Sequence, residues 1–342
     1  MNTDEAYVEG RASVVILNWN GGAALRRCLL AVLEQDHPDV EILLVDNGSS
    51  DDSIAGVADL VGADARVTLY EVGENTGFAR GMNYGIKRAT GEFVMPLGFD
   101  VLLDGDHFRR VARRFEQDPK IGGIGGIEYV LDGDQKTNEY APAAGRLFLR
   151  RTVRGIRVAP FDHECAGFGV TGSFPVFRRA FIDDMTKTFG HVYDEDFVTG
   201  WEDMELWWRA RARAWTLLFY PAAKAWHVGS GSVGGKQRVL DKPLDYQTRI
   251  FRNRKFLALQ SFPDEVWRKV RPAYIAMNFA TPVMLLFRSP RSLKAWRLAE
   301  KEVSQARPML EAKRRKLIAA LRVPPEALLK NFKEYADLDV PD

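Results

Sequence analysis

Apolar and polar positions come in blocks along the first hundred residues, and the period of the blocks alternates. Residues 13–18, Ser-Val-Val-Ile-Leu-Asn, form a short β-branched apolar run that ends in Asn18-Trp19-Asn20-Gly21-Gly22. That pattern predicts a buried strand followed by a turn. Residues 23–34 then place Leu25, Leu29, Val32 and Leu33 at helical spacing. A second strand, Glu41–Val45, runs into the polar stretch Asp46 to Asp52, where Ser50 or Asp51 is expected to cap a helix near 52–60. A third strand, Val67–Val72, precedes a Gly-rich loop and a helix near 77–89. A fourth, Glu92–Leu97, ends at Gly98-Phe99-Asp100. Strand and helix alternating in this way predict an α/β fold built on a mostly parallel sheet with helices on both faces. Ligands bind such sheets at the carboxyl ends of the strands.

The pattern is looser beyond residue 105. A helix is expected at 107–117, a strand at Ile121–Val130, and a loop or hairpin over the polar, Arg-rich residues 131–165. A helix follows at 203–214 and a strand at Leu217–Tyr220, with His227 in the loop after it. From about 243 the pattern is helical only. We read residues 1–242 as one domain with halves 12–105 and 106–242, and 243–342 as a basic helical extension.

Composition narrows the class. Of 342 residues, 46% are hydrophobic and 27% charged, which supplies a large core and excludes disorder of the whole chain. The two cysteines make no disulfide framework and suit a reducing cytosol, and residues 1–12 lack the basic-then-apolar pattern of a signal peptide. The expected location is cytoplasmic. A net charge of +2 conceals an asymmetry: residues 247–330 hold 19 Lys and Arg against six Asp and Glu, so the rest is acidic. Within this segment, residues 272–287 carry no charge, fall short of a spanning length, are interrupted by Pro282, and are flanked by basic residues. Two readings stand: peripheral contact with the inner face of an anionic membrane, or a helical hairpin packed on the first domain or in a homodimer. Nucleic-acid binding lacks any recognised module.

Candidate chemistry gathers at the strand ends. Asn18, Asp46, Asn83 and Asp100 each follow a different strand or the loop after it. Carboxylates and amides there accept or donate to a base or a ribose, although Asp and Asn also favour ordinary turns. Asp100 suits Mg²⁺ or Mn²⁺, which take one or two carboxylates plus substrate phosphates. Glu202-Asp203 opens a helix, where the dipole keeps a carboxylate ionised for use as a general base, or where it merely caps the helix. His227 before a Gly/Ser loop is a candidate metal ligand. Gly122-Gly123-Ile124-Gly125-Gly126 is no dinucleotide fingerprint, because the glycines lie in or before a strand.

Taken together these segments resemble family 2 glycosyltransferases of the GT-A fold, and in particular their rhamnosyltransferase-like branch. The likeness covers roughly residues 12–260. It rests on Asn18-Trp19-Asn20-Gly21-Gly22, Val45-Asp46-Asn47-Gly48-Ser49-Ser50-Asp51, Glu74-Asn75-Thr76-Gly77-Phe78-Ala79 with Asn83, Gly200-Trp201-Glu202-Asp203-Met204-Glu205-Leu206 with Arg209, His227, and Arg252-Asn253-Arg254. The resemblance implies a GT-A (Rossmann-like) domain with a C-terminal helical extension. It also implies inverting transfer from a nucleotide-diphosphate sugar, of dTDP-rhamnose or UDP-hexose type, in polysaccharide or cell-wall synthesis. The acceptor would be a glycan, a lipid-linked molecule or a small molecule. By the same resemblance Asp203 is the general base with Glu202 beside it. Asn18, Asn20, Asp46, Asn47, Asn75, Gly77, Arg80, Asn83, Gly98, Phe99 and Asp100 hold the nucleotide sugar. Thr171, Gly172 and Trp201 face the sugar or acceptor, with Trp201 as a stacking surface, and Asp100 with His227 holds Mn²⁺ or Mg²⁺. One departure stands out: Leu97-Gly98-Phe99-Asp100 keeps only the final acid of the usual Asp-x-Asp or Leu-Asn-x-Asp pattern. It leaves open weaker metal binding, and also a catalytically inactive sugar-nucleotide-binding or scaffold module.

Overall fold

The computed structural model describes residues 7–140, 145–149, 154–158, 163–228 and 239–333. Its first elements are β1 (Val8–Asn18), α1 (Gly22–Leu33), β2 (Val40–Asp46), α2 (Ala58–Ala63), β3 (Val67–Glu71), α3 (Phe78–Ile86) and β4 (Gly91–Gly98). Next come β5 (Val101–Leu103), α4 (His107–Glu116), β6 (Ile121–Asp132), β7 (Gln135–Tyr140), β8 (Gly145–Leu149) and β9 (Arg154–Val158). The chain continues through β10 (Cys165–Ala166), β11 (Val176–Arg178), α5 (Arg179–Phe189), α6 (Glu202–Ala212) and β12 (Thr216–His227). It ends in α7 (Leu244–Ser261), α8 (Asp264–Arg288), α9 (Ser292–Ala319) and β13 (Phe332–Lys333).

The main sheet runs β10-β12-β6-β11-β4-β1-β2-β3, with β5 beside β12 and β7 beside β6. Strands β3, β2, β1 and β4 are mutually parallel. Beyond β4 the sheet is mixed, because the three-residue β11 lies antiparallel between β4 and β6. In β1 the side chains alternate between two cores, as the pleat requires. Val14 and Ile16 pack with Leu25 and Leu29 of α1 and Val111 of α4. Val15 and Leu17 pack on the other face with Met82 of α3, Met185 of α5 and Trp207 of α6. Burying each such side chain fully contributes about 1.5–3 kcal/mol.

Register sets the working edge of the sheet. Asn18 pairs with Asp46, and Leu17 with Gly98, so three separate sequence segments end at one level.

Several expectations shift. Asp51 does not cap α2; its carboxylate takes the Gly22 N–H at 3.0 Å, at the start of α1, and α2 begins only at Ala58. β12 does not stop at Tyr220. It passes Pro221, which has no N–H for a ladder, through a register shift between Phe219 and Lys224, and continues to His227. His227 therefore ends a strand rather than sitting in a loop. β11 and α5 were not anticipated, and β13 interrupts the helical C-terminal segment. Gly122–Gly126 lie inside β6, where the backbone carbonyl of Ala223 on β12 leaves no room for a side chain at Gly126. Trp207 and Trp208 are wholly buried, and α6 is buried along nearly its whole length.

Asn83 is a fold residue. Its Nδ2 donates to the Tyr193 carbonyl at 2.7 Å and its Oδ1 accepts the Tyr193 N–H at 3.0 Å, clipping α3 to the segment before α6. Asn83→Ala leaves both backbone groups buried without partners, so unfolding in urea should show a loss of about 1–3 kcal/mol.

Candidate functional site

A cavity of about 960 Å³ opens at the carboxyl edge of the parallel strands. That is the upper end of the range for small-molecule sites. Trp19 after β1, Asn47 after β2 and Gly98–Val101 from the end of β4 into β5 line the cavity. Gly172-Ser173, Val198 to Gly200, Glu202, Asp203 and His227 line it as well, with Pro243, Asp245, Tyr246 and Arg249 of the α7 entry.

The centre of charge is a chain of three groups, with Glu128 buried and Asp100 and His227 half-buried. His227 Nε2 lies 3.3 Å from Asp100 Oδ2, and His227 Nδ1 lies 2.7 Å from Glu128 Oε1. Glu128 also accepts from Thr171 Oγ1 at 2.5 Å and Ser173 Oγ at 3.0 Å. Burial pulls the His227 pKa down, but the two carboxylates outweigh it and push it up to about 10. Glu128 escaped the sequence reading. The available signal was an acid inside the apolar strand that follows Gly122–Gly126, since a carboxylate there is rarely buried without a partner.

Among the described residues, no group of three or more His, Cys, Asp and Glu side chains forms a complete metal site. Asp100 and His227 nevertheless present one carboxylate and one imidazole nitrogen 3.3 Å apart. That spacing suits neighbouring ligands of a cation with bonds of about 2.1 Å, the remaining positions falling to water and substrate oxygens. The donor pair therefore fits a divalent ion. Gly98 is part of the reason: a Cβ there would come within 2.9 Å of Asp100 Oδ1. The bulky Phe99 does not block the cavity, because its ring is buried in the core on the α1 side of the sheet.

Asp203 lines the same cavity, in the first turn of α6 with Glu202 and Glu205. The helix dipole favours negative charge there. Asp203 Oδ1 accepts the Met204 N–H at 2.7 Å. The segment leading into the helix is strained, with positive φ at Val198, Gly200 and Trp201. It is held by Asn253 of α7, whose Nδ2 meets the carbonyls of Phe197 (2.7 Å), Thr199 (3.0 Å) and Gly200 (2.7 Å). Gly77 needs its φ of 83° and its missing side chain, since a Cβ would lie 2.6 Å from Val198 Cγ1.

Gly172 makes the closest approach to the acid. A Cβ at this position would meet Asp203 Oδ2 at 2.7 Å. Gly172→Ala must push the carboxylate aside. Any turnover that depends on the position of this carboxylate should fall about 10²-fold, with little change in thermal unfolding.

Of the sequence candidates, Asn47, Asn75, Gly77, Gly98, Phe99, Asp100, Gly172, Glu202, Asp203 and His227 line the cavity. The others stand behind or away from its wall. Asn18 is buried, and its Nδ2 serves Asp46 (3.0 Å), Ser49 and Ser53 (2.9 Å each). Asp46 spends its oxygens on the Ser49 N–H and hydroxyl, so it shapes the 46–49 turn rather than facing the cavity. Asn20 accepts the Ser50 N–H, and Arg80 pairs with Glu195. Asn83 clips α3, as above. Thr171 supports Glu128, and the half-buried Trp201 packs against the core beside the residues that line the cavity. Missed residues are Trp19, Ser173, Glu128 and the α7 entry. That entry lay beyond the boundary drawn at 242.

The family model for glycosyl transferase family 2 matches residues 13–184. The chain belongs to this family. Curated relatives include poly-beta-1,6-N-acetyl-D-glucosamine synthase of Staphylococcus epidermidis, 27% identical over 247 residues, covering 70% of this chain and 55% of the relative. The same enzyme of Staphylococcus aureus is 27% identical over 246 residues, with the same coverage. The family 2 chain thus spans about half the length of the curated relatives it matches. Among solved structures, Pyrobaculum calidifontis mannosyltransferase PcManGT, in complex with GDP-Man and Mn²⁺, superposes with a TM-score of 0.53 at 18% identity, over 96% of this chain and 81% of that one. TarS residues 1–349 of S. aureus, in complex with UDP, gives 0.53 at 14% identity, over 97% and 94%. GalNAc-T7, crystallised with UDP, GalNAc and Mn²⁺, gives 0.55 at 18% identity, over 64% and 43%. These likenesses establish the GT-A architecture with its C-terminal helices. In this family 2 member the matched segment ends before α6, so Asp203 and His227 belong to the site on the geometry alone.

Proposed function

We propose that the chain transfers a sugar, with inversion, from a nucleotide-diphosphate sugar to a hydroxyl of a glycan, lipid-linked or small-molecule acceptor. The observation that carries this reading is that the Asp203 carboxylate and the Asp100–His227 donor pair line one cavity at the carboxyl edge of the parallel strands. Asp203 takes the acceptor proton as the acceptor oxygen forms its bond to the anomeric carbon. The bond from that carbon to the diphosphate oxygen breaks, and its electron pair leaves with the nucleoside diphosphate. Asp203 is suited to this because it sits in the first turn of α6 with its Oδ1 oriented by the Met204 N–H.

Asp100 and His227 would hold Mn²⁺ or Mg²⁺, which when bound supplies counter-charge to the departing diphosphate. Glu128 fixes the His227 ring through Nδ1, leaving Nε2 turned toward Asp100. Trp19, Asn47 and Asn75 would receive the nucleoside, and Arg249, paired with Asp245, lines the cavity from α7. UDP- and dTDP-linked hexoses are the first donors to try, and a GDP-linked one follows from the PcManGT likeness.

The test is nucleotide release from such a panel, with and without added acceptor alcohols. Acceptor-stimulated release from one donor is expected. Nucleotide binding without any release would favour the inactive-module reading.

A further inference from the structure

Helix α8 is 25 residues long and is apolar enough, by length and composition, to cross a membrane, yet only 11% of its most apolar window is buried. Six of the large hydrophobic residues exposed among the described ones lie on it. Phe279 is 74% and Phe287 85% exposed, and Ile275, Val283, Met284 and Leu286 are also exposed. Spacings of 275, 279, 283 and 286 put four of the six on one face. A soluble surface rarely carries such a contiguous stripe without a use for it.

The helix is tied to the body at both ends. Val266 and Val270 in its first turns are buried in the same core as Trp208 and Phe262, and Leu285 near its end is fully buried. The chain then returns along α9, which Glu302 and Glu300 pin to Arg252 and Lys255 of α7. A helix anchored to one globule at both ends cannot place those ends on opposite sides of a bilayer. It lies along the protein surface with its apolar stripe facing out.

Charge selects what meets that stripe. Arg268, Lys269 and Arg271 precede it and Arg288, Arg291, Lys294 and Arg297 follow it, all exposed, and residues 266–299 contain no Asp or Glu. A symmetric dimer through this face would set seven cations against seven cations. An anionic lipid surface offers the opposite charge and an apolar interior at the depth the phenyl rings reach. We propose that the α8 face docks the protein peripherally on an anionic membrane, with Phe279 and Phe287 inserted at the headgroup boundary and the flanking basic residues on the lipid phosphates. This rests on α8 and the start of α9 and is independent of the donor reading.

Co-sedimentation of the full chain with vesicles tests it. Vesicles of phosphatidylcholine with phosphatidylglycerol should pellet the protein, phosphatidylcholine vesicles should do so much less, and added salt should release it. Phe279→Ser with Phe287→Ser should weaken partitioning about tenfold, as should Arg288→Gln, Arg291→Gln and Lys294→Gln together. These side chains are exposed and lie outside the cavity, so thermal unfolding and nucleotide affinity of the variants should match the parent. Three results would overturn the proposal: failure of the folded parent to pellet with either vesicle, equal pelleting of parent and variants, or a concentration-dependent dimer that the same substitutions abolish.

Discussion

Asp203→Asn should lower turnover by about 10²–10⁴-fold, the usual worth of a general base. The substitution keeps shape: an amide oxygen still accepts the Met204 N–H, and Gly172 still leaves room beside it. What disappears is the ability to take the acceptor proton. Nucleotide affinity should be nearly unchanged, since Asn47, Asn75, Asp100 and His227 are untouched. Initial rates at saturating donor, paired with calorimetry of nucleotide binding, separate the two effects. A turnover loss below about tenfold removes Asp203 from the role. A parallel loss of nucleotide affinity would place it in donor binding instead.

The second large effect concerns the Asp100–His227–Glu128 chain. His227→Ala removes one of two metal donors and leaves Asp100 and the buried Glu128 facing each other without the imidazole between them. Mn²⁺ affinity, read by titration of the metal alone, should fall below detection. Glu128→Gln keeps the ring neighbour but weakens its hold, and supporting partners of this kind are worth about 10–100-fold in metal affinity. The order His227→Ala, then Glu128→Gln, then parent is the signature. The pH dependence has a definite sign. Because the carboxylates push the His227 pKa up to about 10, the ring must lose a proton before Nε2 accepts a metal. Mn²⁺ affinity should therefore rise with pH through the neutral range. Unchanged Mn²⁺ affinity in both variants would exclude this pair as the metal site.

The parallel half of the fold was legible because each strand is a short apolar run and each helix repeats at its own period. Asn18, Asp46 and Asp100 could be placed at strand ends for the same reason. What the pattern could not reveal is which way a polar side chain turns once the strands are in register. Asn18 and Asp46 bond to each other and to Ser49, and Asn83 closes on the Tyr193 backbone, so all three also hold the wall behind the cavity together. Strands as short as β11 carry too few residues to show a period. Glu128 and Arg249 reach the site from β6 and α7, far apart in sequence, and only the tertiary arrangement joins them to Asp100. The departure at Gly98-Phe99 looked like damage in one dimension. In three, Gly98 clears space for Asp100 while Phe99 fills the core.

The central claim is that this cavity binds a nucleoside diphosphate with the help of a cation held by Asp100 and His227. Calorimetric titration with UDP, dTDP and GDP, each with and without Mn²⁺, tests it most directly. The account predicts that one of the three binds and that Mn²⁺ tightens it. Equal binding with and without Mn²⁺ would contradict the metal assignment, and binding of none of them by the folded protein would contradict the claim itself.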